Sequence, residues 1–378
     1  MSEESGRSSI GEIAGLFLRL GLTAFGGPAA HLGLMEREAV TRRRWMSRES
    51  FLDLVGACNL LPGPSSTQVA MALGYTRARW LGLVTAGMCF ITPAALATLG
   101  LAWAYVRYGS LPQAQGLLYG AKPAMVALIV HAIWKLGRTA LKNAGLAVAG
   151  AACLAAALLG APPLAVLLVC GVVTLAVEWG RSRSSSAMGL ALVPVGMGAS
   201  GASAVGLMPL ALIFLKLGVV VFGSGYVLLA FLQRDLVDRL HWVTQSQLLD
   251  AVTAGQVTPG PLFATATFLG FVIGGWSGAG VATAAIFLPS FVLAGVAAML
   301  AERIRRSAPA GAFLDGVNVA AVAVMASVAL TLGRAALVDW WTWVVGVVCT
   351  GLLMGTKVNP AWLILGGAAV GWLARGLW

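Results

Sequence analysis

The sequence predicts an all-α polytopic membrane protein whose two homologous halves form an inverted repeat. Three observations carry that prediction. Apolar residues make up 59% of the 378 residues and charged residues only 10%, with a mean hydropathy of +0.87. A soluble domain carries about 25% charged residues, so this chain belongs in a bilayer. The second observation is an internal repeat. Phe17-Leu-Arg-Leu-Gly21 returns as Phe214-Leu-Lys-Leu-Gly218, and Phe25-Gly26-Gly27 as Phe222-Gly223-Ser224. Trp45 matches Trp242, Asp53 matches Asp250, and Leu61-Pro62-Gly63-Pro64 matches Thr258-Pro259-Gly260-Pro261, all at the offset of 197 that separates Phe17 from Phe214. From Pro93 and Pro289 onward the offset is 196, so one residue has been lost. The third observation is that loop charges alternate in opposite senses in the two halves.

Apolar segments fall at 10–34, 51–76, 80–106, 114–136, 144–160 and 162–179, and again at 207–232, 248–274, 276–301, 311–336, 340–356 and 359–376. All are expected to be helices, because isolated strands leave their backbone unsatisfied in lipid. Residues 10–180 form the first repeat, 181–206 a Ser/Gly-rich linker, and 207–378 the second repeat. The second segment of each half holds Pro-Gly-Pro in its middle, at 62–64 and 259–261. Two prolines remove two backbone donors, and the glycine between them permits a sharp bend. The segment is therefore either a broken crossing or a re-entrant hairpin.

Loop charges choose the hairpin. In the first half Arg42, Arg43, Arg44 and Arg48 precede it, and Arg77 and Arg79 follow. In the second half Arg234 and Arg239 are offset by Asp235 and Asp238, and Gly274-Gly-Trp-Ser-Gly278 has no charge. The next loops reverse the contrast, with Arg107 against Arg303, Arg305 and Arg306. Basic loops stay cytoplasmic, so the halves are expected to be upside down to one another. The expected count is five crossings and one hairpin per half, ten and two in all, with the linker inside and both ends outside. Twelve spanning segments are the alternative, and Phe25-Gly-Gly-Pro28 can break the first segment as well. The first residues include Glu3 and Glu4, and no cleavable signal peptide is visible.

The net charge of +11 is read as orientation signal, and its scatter between apolar spans speaks against nucleic acid. The five cysteines, at 58, 89, 153, 170 and 349, are far apart in sequence and read as small buried hydrophobes, with no metal or cofactor implied.

Each helix that resumes after Pro-Gly-Pro has free N–H groups deep in the membrane and a dipole that favours anions. Ser65, Ser66, Thr67 and Gln68 add donors in the first half, and Thr265 and Thr267 in the second. Inversion brings the two helix starts toward the midplane from opposite sides, a candidate oxyanion site without a full charge. The bland reading is a kink that only permits packing. Asn59 and Gln256 stand at matching places before the prolines, to bind the anion or tie the turn. Gly26, Gly27, Gly223 and Ser224 either let backbone approach a ligand or let helices pack. Arg19 and Lys216 match; they attract an anion or snorkel to the interface. Lys122, facing Asn318 in the repeat, is a second cationic candidate. Asp53 and Asp250 carry protons if burial raises their pKa, or cap helices. His31 is a further proton candidate, with a packing histidine as the alternative.

Phe25-Gly-Gly-Pro-Ala-Ala-His31, Leu61-Pro-Gly-Pro-Ser-Ser-Thr-Gln68, Phe222-Gly-Ser-Gly-Tyr226, Gly255-Gln-Val-Thr-Pro-Gly-Pro261 and Thr265-Ala-Thr-Phe-Leu-Gly270 together resemble the long, two-domain form of the chromate ion transporter family. The resemblance covers both halves. It implies chromate export across a bacterial inner membrane, with sulfate as the lookalike dianion. Asn59 departs from the Gln common in the family.

The function expected is therefore oxyanion efflux by a secondary transporter working through alternating access, with proton exchange as the suggested drive. Direct ATP coupling is not expected, because the chain has no phosphate-binding loop of the Gly-x-x-x-x-Gly-Lys-Ser/Thr type. The rivals are a sulfate or other tetrahedral oxyanion carrier, a non-transporting membrane scaffold, and an intramembrane serine hydrolase on Gly223-Ser224-Gly225. The hydrolase needs a histidine within reach of Ser224. Chromate or sulfate and lipid are the expected partners, and a homo-oligomer is left open.

Overall fold

The computed structural model describes residues 9–181, 206–222, 225–305, 308–356 and 358–376. The linker and the Gly223-Ser224 pair thus lie almost wholly outside the described residues. In the first half α1 spans Ile10–Thr23, α2 Gly27–Glu36 with a π-helical turn at Arg37–Arg42, α3 Arg48–Leu60, α4 Ser65–Tyr108, α5 Pro112–Ala140, α6 Ala144–Leu158 and α7 Pro163–Arg181. In the second half α8 spans Leu207–Val220, α9 Val227–Leu232 with a π turn at Gln233–Arg239, and α10 Gln245–Val257. A 3-10 turn at Leu262–Ala264 leads into α11 (Thr265–Arg305), followed by α12 (Ala308–Ala336), α13 (Trp340–Gly355) and α14 (Pro360–Gly376).

The repeat extends to the start signals. Ser47 accepts from the Ser50 N–H at the start of α3, and Thr244 accepts from the Gln247 N–H at the start of α10. Asn143 and Asp339 do the same for α6 and α13. Each cap satisfies a helix-end donor that has no partner within the helix.

α4 and α11 each contain a reversal. It falls at Ala78 (φ −143°) and Arg79 (φ 52°) in α4, and at Gly274 (φ −137°) and Gly275 (φ 61°) in α11. Gly74 then faces Gly82, and Gly270 faces Gly278, so closely that a Cβ on any of them would strike its partner's backbone. Residues eight apart in one straight helix lie about 12 Å apart, so the chain has turned back. α3, with 13 residues, rises only ~20 Å, and the first limb of α4, 65–77, is no longer. A hydrocarbon core is about 30 Å thick. The pair is a re-entrant hairpin, and α10 with the first limb of α11 is its copy.

The halves are inverted. α5 and α12 are equivalent elements, yet a Cβ on Gly137 would lie 3.8 Å from Cγ1 of Val322, and one on Gly333 3.9 Å from Cγ1 of Val126. A late residue of each helix meets a middle residue of the other, and the pairing is reciprocal, so the equivalent helices run antiparallel. The packing is also exchanged: Gly120 of α5 lies on Gly367 and Gly371 of α14, while its counterpart Gly316 of α12 lies on Gly171 and Thr174 of α7. Without a hydrophobic drive between helices in lipid, such small-residue contacts hold a bundle together by close packing. The outer surface is apolar, with Leu81, Val148, Trp340 and Trp362 exposed, as a multi-pass membrane protein requires.

The first segment takes the broken alternative at Phe25-Gly-Gly-Pro28 in place of a crossing. Glu12 at the start of α1 pairs with Arg43 at 2.6 Å, 31 residues away. In one straight helix they would stand roughly 46 Å apart. The break at Ala24–Gly26 therefore sends the chain back, and 10–43 is a second re-entrant hairpin. Equivalently, Leu207 and Leu210 at the start of α8 lie beside Gly274 and Gly278, on the face where α10 begins. Among the described residues each half thus has two hairpins, followed by the second limb of α4 or α11 and three further apolar helices; α4, α5, α11 and α12 are long and apolar enough to cross a membrane. α1 begins on the basic face with Arg43, not on the outside, and α7 ends on the face opposite the one where α8 begins.

Single cysteines at Ser47 and Thr244, in a background without the five native ones, test the inversion. The two positions are equivalent and exposed. An impermeant thiol reagent applied outside intact cells is expected to label the Thr244 position and to reach the Ser47 position only after permeabilisation. Equal labelling from one side contradicts the inverted arrangement.

Candidate functional site

Four helix breaks meet at the centre of the molecule. The Gly63 N–H donates to the Val221 carbonyl at 2.6 Å, and the Gly260 N–H donates to the Ala24 carbonyl at 3.0 Å. Each Pro-Gly-Pro turn of one half is therefore tied to the first-segment break of the other. The two ties are copies of one another, since Gly63 matches Gly260 and Ala24 matches Val221. Gly63 and Gly260 take φ of +113° and +96°, a region where a side chain is strained.

The first turn of α4 enters this junction. Ser65, Ser66, Thr67 and Gln68 are all buried, the last two completely. Intrahelical bonding begins at the Thr67 and Gln68 N–H groups, which both donate to the Pro64 carbonyl, leaving the helix dipole directed at the junction. Gln68 Nε2 donates to the Pro62 carbonyl, closing the turn. From the second half come buried Thr258, Thr265 and Ser290, and half-buried Gln256. A Cβ on Gly63 would lie 3.1 Å from Ser290 Oγ, so Ser290 stands directly over the turn. Thr98 and Thr258 share a hydroxyl hydrogen bond of 3.2 Å between the halves.

Among the described residues, five side-chain atoms here are buried without a hydrogen-bond partner, Thr67 Oγ1, Gln68 Oε1, Gln256 Nε2, Thr265 Oγ1 and Ser290 Oγ, with Gln256 standing beside the Tyr226 hydroxyl. Leaving a buried polar group unsatisfied costs about 1–3 kcal/mol. Native interiors leave few such groups, so a cluster of them beside four helix ends is unusual. Its chemistry is neutral, consisting of hydroxyls, amides and backbone N–H groups.

The sequence profile of the chromate transporter family matches residues 11–175 and, a second time, residues 208–372. The chain belongs to the chromate transporter family. A protein of Synechococcus elongatus named as a probable chromate transport protein is 31% identical over 373 residues, covering 96% of this chain and 95% of the relative. Chromate transport proteins of Cupriavidus metallidurans and Pseudomonas aeruginosa are each 32% identical, over 361 and 379 residues, covering 94% of this chain and 90% of each relative. No solved structure matches. Family and helices together make the chain a multi-pass membrane protein, consistent with a bacterial inner membrane.

In this chromate transporter family member the charged candidates stand away from the polar junction. Arg19 lies 3.9 Å from Glu38, and Lys216 lies 2.7 Å from Asp235. Arg42 and Arg239 complete the two sets. Arg19 of α1 and Lys216 of α8 thus each stand beside the carboxylate of a π turn in the same half. Lys122 is likewise paired: its Nζ is 3.3 Å from Asp250 Oδ1 and donates to Ser246 Oγ at 2.6 Å. Asp250 is buried and accepts from the Tyr105 hydroxyl at 3.1 Å. Asp53 is half-buried in α3. His31 sits one turn into α2. Its Nε2 is 3.0 Å from the Ala24 carbonyl, which only accepts, so Nε2 carries the proton. Nδ1, at 3.3 Å, then accepts from Ser66 in the neutral ring. His31 thereby fastens one hairpin to the other. Asn59 and Gly26 are exposed and Gly27 is half-buried. Gly27 faces the Tyr226 hydroxyl, to which a Cβ there would come within 3.8 Å.

Ser290, Thr98, Tyr226 and the pair Glu38 and Asp235 were not singled out as site or ion-pair residues by sequence reasoning. Ser290 follows the matched Pro289 but has Ala94 as its counterpart, so the repeat gave no cue. Glu38 and Asp235 do match at the offset of 197, and that signal was present. Cys153 and Cys170, far apart in sequence, are brought together as neighbouring buried thiols of α6 and α7.

Proposed function

We propose that the chain exports chromate across the bacterial inner membrane by alternating access, with the dianion held at the junction of the four breaks. The observation that carries this reading is the cluster of five unpartnered buried polar atoms beside the paired Pro-Gly-Pro turns. A tetrahedral dianion presents four oxygen acceptors. Thr67, Gln256, Thr265 and Ser290 offer donors from both halves, and Gln68 Nε2, with one N–H on the Pro62 carbonyl, has its second N–H to offer while its Oε1 only accepts, so rocking one half against the other hands the anion from one face to the other. Neutral donors suit this task, because an ion held by full opposite charges in a dry interior leaves slowly. The relatives named for chromate transport support the choice of substrate. Chromate flux in proteoliposomes tests the reading, with sulfate, molybdate and phosphate as competitors and the pH gradient varied. Flux carried for sulfate and not for chromate would reassign the substrate, and no flux of any oxyanion would remove the function.

Asp250 is proposed as the proton-coupling group, with Asp53 its counterpart across the midplane. A buried carboxylate beside a lysine, a tyrosine and a serine can change its charge as the carrier cycles. Asp250→Asn keeps size and hydrogen bonding but cannot ionise. Lys122→Gln in the same chain removes the cation that Asn would strand. The double variant is expected to bind chromate while losing its acceleration by a pH gradient. If it and Asp53→Asn both keep gradient-driven flux, neither aspartate couples.

A further inference from the structure

A cavity with a basic rim lies on the outside of the bundle, far along α5 from the Lys122–Asp250 pair. It encloses about 600 Å³ and opens between the last turns of α5 and the end of α13, lined by His131, Trp134, Lys135, Arg138, Thr139 and Met354. That volume is within the range of small-molecule sites, about 300–1,000 Å³. Lys135 and Arg138 are exposed at its rim, and neither has an ion pair among the described residues. Nδ1 of His131 is buried at the cavity and has no hydrogen-bond partner among the described residues. The cavity is thus cationic, with one orphaned polar atom and a half-exposed tryptophan beside it.

We propose that this groove binds the phosphate headgroup of an anionic phospholipid. Its neighbours decide between a lipid and a free anion. The adjoining face of α13 exposes Trp343, Val344, Val347, Val348 and Met354, and α5 exposes Val130 and Trp134. A ligand with acyl chains can lay them on that apolar face while its phosphate meets Lys135, Arg138 and His131. A free inorganic anion gains nothing from it. The position along the bundle agrees. This end of α5 leads to Lys142 on the basic face, where anionic lipids create a negative surface and basic pockets between helices hold their headgroups. The inverted copy supplies a comparison within the same molecule. Its equivalents, on the opposite face, are Ser327, Leu330 and Thr331, with only Arg334 kept. The groove chemistry is therefore tied to one leaflet and not to the repeat.

Native mass spectrometry of the full chain, with phosphatidylglycerol or phosphatidylethanolamine added, tests the proposal. Wild type is expected to retain phosphatidylglycerol in preference to phosphatidylethanolamine. Lys135→Gln with Arg138→Gln is expected to weaken that retention roughly tenfold or more, each cation near the surface contributing roughly a fivefold factor. Arg334→Gln, at the opposite face, is expected to leave it unchanged and controls for general loss of charge. Excess inorganic phosphate is expected not to displace the lipid. Displacement by phosphate at equal charge concentration assigns the groove to free anions instead. Unchanged phosphatidylglycerol retention in a folded double variant overturns the proposal. His131→Phe keeps the ring and removes Nδ1; it is expected to weaken retention without altering the thermal midpoint in lipid-free detergent. A shift of that midpoint with retention intact marks His131 as structural and removes it from the site.

Discussion

Gly63→Ala is expected to abolish chromate flux, and Gly260→Ala to do the same. The two positions are copies, and both are held by backbone geometry. At φ +113° an alanine in place of Gly63 suffers the steric penalty of the left-handed region, about 1–2 kcal/mol. Its Cβ would also lie 2.6 Å from Gln68 Nε2 and 3.1 Å from Ser290 Oγ, closer than such contacts allow. Relief requires the turn to move, which pulls the Gly63 N–H from the Val221 carbonyl and opens the junction. At Gly260, φ is +96° and the Cβ would meet that of Ala94 at 2.7 Å. Gly351→Ala, a helical glycine with nothing within 4 Å, serves as the harmless control. Flux into inverted membrane vesicles, normalised to folded protein, makes the measurement. Wild-type flux in both turn variants would show that the paired breaks are not the transport path.

The second large effect is on affinity. Gln68→Leu or Gln256→Leu is expected to weaken chromate binding roughly tenfold or more, because a hydrogen bond to a charged group contributes about 1.5–3 kcal/mol. Gln68 also closes its own turn through the Pro62 carbonyl, so its loss is expected to lower the maximal rate as well as affinity. Gln256 has an unpartnered Nε2 and is expected to alter affinity most. The difference between the two variants separates a donor from a donor that also shapes the turn. Normal chromate affinity in both, at normal expression, would falsify direct contact. Ser290→Ala is the natural third variant, since Ala94 already occupies the matching place in the other half without harm to the fold.

Much of the polar junction was legible because its cause is local. Proline lacks an N–H wherever it stands, and glycine between two prolines bends the chain whatever surrounds it. So Pro62-Gly63-Pro64 and Pro259-Gly260-Pro261 were readable as breaks, and Ser65 to Gln68 as the polar start of the helix that follows. The charges misled for the opposite reason. Arg19, Lys216 and Lys122 read as cations in apolar segments, but Glu38 and Asp235 reach the first two only when each first hairpin folds back, and Asp250 reaches Lys122 only when the two halves pack together.

The sequence by itself determined the bilayer as solvent, the two copies, their inversion and the places where helices must break. Those follow from composition, register, loop charge and the backbone chemistry of two residue types. Only the tertiary structure decided that the first segment turns back, that each break is hydrogen-bonded to a break in the other half, and that Ser290 stands above Gly63. The physical reason is distance along the chain. Glu12 and Arg43 are 31 residues apart, and Gly63 and Val221 lie in different halves. Whether two such groups meet is set by how whole helices pack against one another, and no local residue pattern encodes that meeting.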